Sequence, residues 1–258
     1  MTETKQQVKE ITEKLEQGVK DIFDSHNYKD YLAFMAKFYD YSFNNTILIW
    51  MQKPDASLVA GYKAWQTKFH RNVKKGEKAI KILAPVPRKG VKQTKNADGE
   101  LEDEEYTYMM YRAVNVFDIS QTEGEEVPSF TIDELTGEVE RFSELLEGIE
   151  KVSKIPVEYI DIAGSAKGFY SPADNKIAIQ KGMSQEQTIK TLIHETAHSI
   201  LHCKGGEEEK ADRRTMEVQA ESIAYTVCCY LGIDTSDYSF GYVTGWSAGK
   251  ECKELTAS

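Results

Sequence analysis

Residues 194–198 read HETAH, inside the stretch SQEQTIKTLIHETAHSILHCKGG. On a helix, His194 and His198 are four positions apart and stack on one face. Two imidazole nitrogens so placed can both reach one Zn2+ at about 2.0–2.1 Å. Glu195, between them, projects to the side where a water activated by such an ion would lie, and can take its proton. A catalytic zinc needs a third protein ligand and keeps one position open. The downstream stretch EVQAE offers Glu217 and Glu221, again i and i+4 on a common face. We assign Glu217 to the metal and Glu221 to the role of acceptor that orients a ligand histidine, the reverse assignment staying open. His202 lies further round towards the helix end and reads as a supporting residue rather than a third histidine ligand. Tyr170, on a preceding strand, is a candidate for stabilising a tetrahedral intermediate, with simple hairpin packing as the alternative. Cys203, Cys228 and Cys229 are the sulfurs that would complete a closed, structural site instead.

Such a pair of motifs works only on rigid, buried helices. Ser184 with Gln187 forms a capping-box pattern, and Ile189, Leu192, Ile193, Ala197, Ile200 and Leu201 continue as one apolar stripe to Gly205 and Gly206, which can end the helix. Ala220, Ile223, Ala224 and Val227 bury the EVQAE turn in the same way. The spacing therefore predicts helices over 185–203 and roughly 207–231. They follow an amphipathic helix near 131–150, a strand around VEYIDI, and two strand-like runs in GFYSPADNKIAIQ joined by a Pro-Asp-Asn turn.

The first half has a different character. Val8, Ile11, Leu15, Val19, Ile22 and Phe23 recur at helical spacing over 4–24. An aromatic helix follows at 28–40, in which Tyr31, Phe34 and Phe38 read as core. A short helix in YSFNNTILIWMQKP ends near Pro54. A helix around Lys63–Phe69 leads through a basic turn to a strand at 79–86. Polar residues from Pro87 to Glu105 read as a long hairpin loop, and YTYMMYRAVNVFDIS as the strand that pairs back. TEGEEVPSF marks a boundary. The expectation is an α+β chain of two domains, 1–122 and 131–258, with a linker at 123–130 and the HExxH helix beside a small sheet in the second.

Charge divides along the same line. Residues 1–96 carry 18 Lys+Arg against 10 Asp+Glu, and the remainder 14 against 32, so the overall charge of −10 conceals a basic module joined to an acidic one. The polar N-terminus excludes a secretory signal, and the longest apolar runs, such as TILIWM, are too short to span a membrane. Four irregularly spaced cysteines without a CxxC pair point to thiols in a reducing cytoplasm. The chain stops at KECKELTAS, where a helical pattern is starting, and so reads as a shortened form.

HETAHSILH followed by EVQAESIAY resembles the short zincin-type metallopeptidase domain of the ImmA/IrrE kind, over roughly 150–235. In that group a helix with a pattern similar to E-x-x-A-[ND/E]-x-x-A follows HExxH, and Glu217, Ala220, Glu221 and Ala224 stand at those places. Gln219 stands where many relatives carry another acid, which favours Glu217 as the ligand. YSFNNTILIW followed by GYKAWQTKFHRNVKKGEKAIKILAP resembles the N-terminal domain of ArdC-type antirestriction proteins, over about 5–122. These resemblances imply one zinc ion, a peptidase-type second domain acting on a protein substrate, and a first domain that binds single-stranded DNA on behalf of a conjugative element. For DNA contact the basic and aromatic candidates are Lys63, Trp65, Lys68, Arg71, Lys74, Lys75 and Lys78, with Asn44 and Asn45 as polar contacts. The competing expectations are a cytoplasmic regulatory peptidase that cleaves a repressor or other protein and uses DNA only for targeting, and a non-enzymatic DNA-binding protein with a structural metal.

Overall fold

A computed structural model describes residues 3–24, 27–38, 40–95, 101–127 and 139–233. The start of the helix expected from 131 and the tail after 233 lie outside these residues. In chain order the described elements are helices α1 (Glu3–Asp24), α2 (Tyr28–Ala36) and α3 (Phe43–Gln52), strand β1 (Val59–Gly61), helix α4 (Tyr62–Lys68), and strands β2 (Arg71–Val73), β3 (Ile80–Lys95), β4 (Leu101–Asp118) and β5 (Thr122–Gly124). They continue with helix α5 (Val139–Ser153), strands β6 (Val157–Ile160), β7 (Gly168–Ser171) and β8 (Lys176–Gln180), and helices α6 (Gln185–Leu201) and α7 (Arg213–Tyr230). Helix and sheet are thus mixed, and the chain divides into two compact units, 1–19 with 40–127 and 20–39 with 128–258.

In the first unit β4 is the central strand of an antiparallel sheet ordered β1-β4-β3. The outer edge of β3 would leave backbone groups bare, and α3 covers them with side-chain amides. Asn45 donates to the carbonyl of Leu83 and accepts from its N–H, both at 2.9 Å. One helical repeat later, Gln52 does the same for Lys81, also at 2.9 Å in both directions. Two amides seven residues apart thereby replace a missing strand. Asn45, expected at the nucleic-acid surface, is committed to the sheet instead.

Two further expectations are corrected here. The described residues of 87–105 are strand rather than loop: β3 and β4 stay in antiparallel register as far as Lys95 opposite Leu101. Low apolar content misled the reading. The two strands pair residue by residue along this stretch. Lys92 is in register with Glu104, and Lys89 lies 3.2 Å from Glu105. Trp65 is wholly buried and donates its indole N–H to the carbonyl of Phe117 at 2.9 Å, so it has no free face for a base. Below it, the buried Asp118 carboxylate accepts from the amides of Ser57, Leu58 and Ser120, which together outweigh the effect of burial and lower its pKa.

In the second unit β8 lies between β6, parallel to it, and β7, antiparallel to it. Helix α6 packs Leu192 on Ile177 and Ile179 of β8. Its other apolar flank, Ile189 and Ile193, meets Ala224 and Cys228 of α7, with Phe142, Leu145, Leu146 and Ile149 of α5 closing around them. Gly168 lets β7 approach this helix: a Cβ there would fall 2.6 Å from Thr191 Cγ2. The aromatic helix α2 also belongs to this unit. Its Tyr31, Phe34 and the following Phe38 are buried, and the Tyr28 hydroxyl lies 2.8 Å from Ser222 Oγ of α7.

Asn45 is half-buried, so removing its amide costs about 1 kcal/mol for each backbone group left without a partner, the lower end of the penalty for a buried one. Asn45→Ala is therefore expected to lower the thermal midpoint by several degrees, whereas Asn44→Ala, at an exposed position on the same helix, leaves it nearly unchanged. Calorimetry of the two variants checks this.

Candidate metal centre

The Ser184 side chain accepts from the Gln187 amide and starts α6. Asp212 caps α7 through the amides of Arg214 and Thr215. With both helix starts fixed and their apolar flanks interlocked, His194, His198 and Glu217 come together, their ligand atoms all within 4.8 Å of one another. His194 Nε2 and His198 Nε2 are 3.1 Å apart. Glu217 Oε2 lies 3.5 Å from the first and 3.8 Å from the second. A tetrahedral ion with bonds of about 2.0–2.1 Å holds its ligand atoms ~3.4 Å apart, so the triangle has the size that such an ion requires.

The ring orientations follow from what holds the other nitrogens. Glu221 Oε2 is 3.2 Å from His194 Nδ1 and accepts its proton, on the side of the ring away from His198. His198 Nδ1 lies 2.7 Å from His202 Nδ1, and His202 Nε2 lies 2.9 Å from Gln219 Oε1. If the amide oxygen accepts from His202 Nε2–H, His202 Nδ1 accepts from His198 Nδ1–H. Both ligand rings then turn an Nε2 lone pair inward, beside a carboxylate. Three electron-rich atoms at this separation need a cation between them.

Without a metal that cation is a proton. Burial opposes charge on His194, but hydrogen bonds to Glu217 and Glu221 outweigh it and raise its pKa to about 9. Hydrogen bonds from His194 and His198 hold Glu217 far below the usual carboxylate range. Burial pushes Glu195 up, against the pull of His194, His198 and a hydrogen bond from the Tyr170 backbone. It also lowers His202, despite the bond to Gln219. The Glu217 side chain is half exposed, so the centre opens to solvent on that side.

Tyr170 is brought near through its backbone rather than its hydroxyl. Its ring packs on the Ile177, Ile179 and Leu192 cluster and lines a groove with Ser199, Ile200 and Cys203. That is a different face of α6 from the one presenting His194 and His198. Cys228 is sealed in the apolar cluster, and no cysteine among the described residues joins the three ligands. Gln219 escaped the sequence reading as a functional residue. Its value appears only when α7 is set against the end of α6.

The basic candidates of the first unit scatter in role. Arg71 is used internally, clamping β2 to β5 through Thr122, Gly124 and Glu125. Lys74 donates to the carbonyl of Ser120. Lys63, Lys68, Lys75, Lys78 and Asn44 are exposed.

Residues 2–117 match the family described as the N-terminal domain of anti-restriction factor ArdC. Over 99% of its length the chain is 31% identical to an uncharacterized protein of Bacillus anthracis, pXO2-81, and it spans about half of that protein's length. The crystal structure of the antirestriction ArdC protein from plasmid R388 is similar in its metal-free form with a TM-score of 0.49 at 19% identity, over 84% of this chain and 77% of that one. In its Mn(II)-bound form the TM-score is 0.46 at 16% identity, over 88% of each.

Two outcomes are expected at this centre. The raised pKa of His194 stabilises the metal-free fold fully below about pH 6.5, and that contribution is lost as pH rises to about 9. Metal affinity should rise through the same interval as the competing proton leaves. Thermal melts and metal titrations from pH 6 to 9 read both. Replacing Gln219 by Leu, which releases His202 and with it the His198 ring, should weaken metal binding by about 10–100-fold without removing a ligand, measured by competition with a chromophoric chelator.

Proposed function

We propose that this chain is an antirestriction-type protein of a mobile genetic element. Its basic first part binds single-stranded DNA, and its acidic second part is a zincin-like, zinc-dependent metallopeptidase domain. The observation that carries the second part is the triangle of His194 Nε2, His198 Nε2 and Glu217 Oε2 at 3.1–3.8 Å. Two imidazoles and one carboxylate, with a solvent-facing side and no thiolate among the described residues, is the donor set of a catalytic rather than a structural zinc. The match of residues 2–117 to the ArdC N-terminal family supports the first part, as does its excess of Lys and Arg.

An ion bound there would polarise a carbonyl and acidify water. The protein residues supply the rest. Glu221 and the Gln219–His202 pair hold the two imidazoles as neutral donors. Glu195 is buried beside them with a raised pKa, which makes its carboxylate a stronger base at neutral pH. In this reading it takes the proton of the attacking water and returns it to the departing amine. The Tyr170 amide steadies that carboxylate between the two steps.

Glu195→Gln is expected to retain stoichiometric zinc, seen by elemental analysis, while peptide cleavage falls by at least 100-fold. Unchanged cleavage would remove Glu195 from this role. For the first part, affinity for a single-stranded oligonucleotide should fall steeply between about 50 and 200 mM salt. A flat response in fluorescence anisotropy would sink the claim that phosphates are being tracked.

A further inference from the structure

Along the β3–β4 ribbon, directly opposed residues share a face. On one face Ile80, Ile82 and Val116 are buried in the first unit. Farther out the same face carries Met110, Tyr108 and Tyr106, opposite Val86, Arg88 and Gly90, and here the apolar residues emerge into solvent. Met110 is 40% exposed, Tyr108 41% and Tyr106 42%. This is an unusual place for large apolar side chains, because nothing in the fold of the unit requires them there.

Their arrangement is that of a platform. Tyr106 lies over Gly90, where a Cβ would come within 2.8 Å of the ring, so the glycine lets the ring rest on the opposite strand. The rings of Tyr106 and Tyr108 are 5.7 Å apart and tilted by 35°. Lys89 and Glu105 neutralise each other on the opposite face, whereas Arg88 and Arg112, on the same face as the tyrosines, pair with no carboxylate among the described residues. Successive aromatic rings beside unneutralised guanidinium groups are what base stacking with phosphate contact requires.

We propose that this face, formed by Tyr106, Tyr108 and Met110 with Arg88 and Arg112, is the surface on which bases of a single nucleic-acid strand stack. It rests on the reading of the first part as a single-strand binder and relocates the ring contacts from Trp65 to the ribbon.

The test uses the full chain and a fluorescently labelled oligothymidylate. Tyr106→Ala/Tyr108→Ala is expected to bind at least tenfold more weakly than wild type, with the same salt slope because no charge is removed. Tyr106→Phe/Tyr108→Phe should restore most of the affinity. Arg88→Gln/Arg112→Gln should flatten the slope of log affinity against log salt by about 1.4. Circular dichroism and metal content should not change in any variant. Equal affinity of the alanine variant and wild type would overturn the platform while leaving single-strand binding intact. Failure of wild type to bind would overturn the underlying reading itself. A change of molar mass in light scattering, with affinity per chain unchanged, would overturn the proposal in favour of contact between copies.

Discussion

The second unit is organised around an electrostatic problem: two imidazole lone pairs and a carboxylate oxygen converge within 3.1–3.8 Å. In water such atoms would separate. Here the interlocked flanks of α6 and α7 prevent them from doing so, and the partners on the outer nitrogens, Glu221 and the His202–Gln219 pair, prevent the rings from turning away. The repulsion is relieved only by a positive charge at the centre. A proton on His194 serves this purpose when no metal is present. Packing thereby keeps together a group of side chains able to hold a metal ion, and burial raises the pKa of Glu195 next to them.

How much of this could be read from the chain depended on the range of the interaction. His194 and His198 were legible as a pair because residues four apart on a helix share a face, and the same spacing narrowed the third group to Glu217 or Glu221 without choosing between them. The helices and the small sheet followed from local periodicity and caps. Gln219 was missed as a functional residue, because nothing local tells whether a polar residue beside two acids will meet a histidine seventeen positions earlier. Tyr170 was read through its hydroxyl, yet its backbone amide is what reaches Glu195, a contact that depends on strand and helix being placed together.

The first unit shows the opposite error. Composition suggested a loop at 87–105 because strands are recognised by apolar alternation. The ribbon persists instead on backbone hydrogen bonds that any side chain permits, with the exposed pair Lys89–Glu105 adding little. Trp65, Asn45 and Arg71 were read as surface residues on account of their chemical type. Each is used inward: Trp65 to satisfy a carbonyl, Asn45 to finish a strand edge, Arg71 to tie two short strands. Residues rich in donors serve recognition and architecture equally well, and only their partners distinguish the two uses.

The place of α2 bears on how the protein can be taken apart. The chain enters the second unit at residue 20, leaves it after 39 and returns at 128. The Tyr28 hydroxyl is bound to Ser222 on the helix that carries Glu217. A gene severed between the basic and acidic halves would therefore not yield two self-sufficient polypeptides. The distal fragment would be missing a buttress of the helix that carries Glu217, so recombination that exchanges the basic half must carry this aromatic segment along with the acidic one.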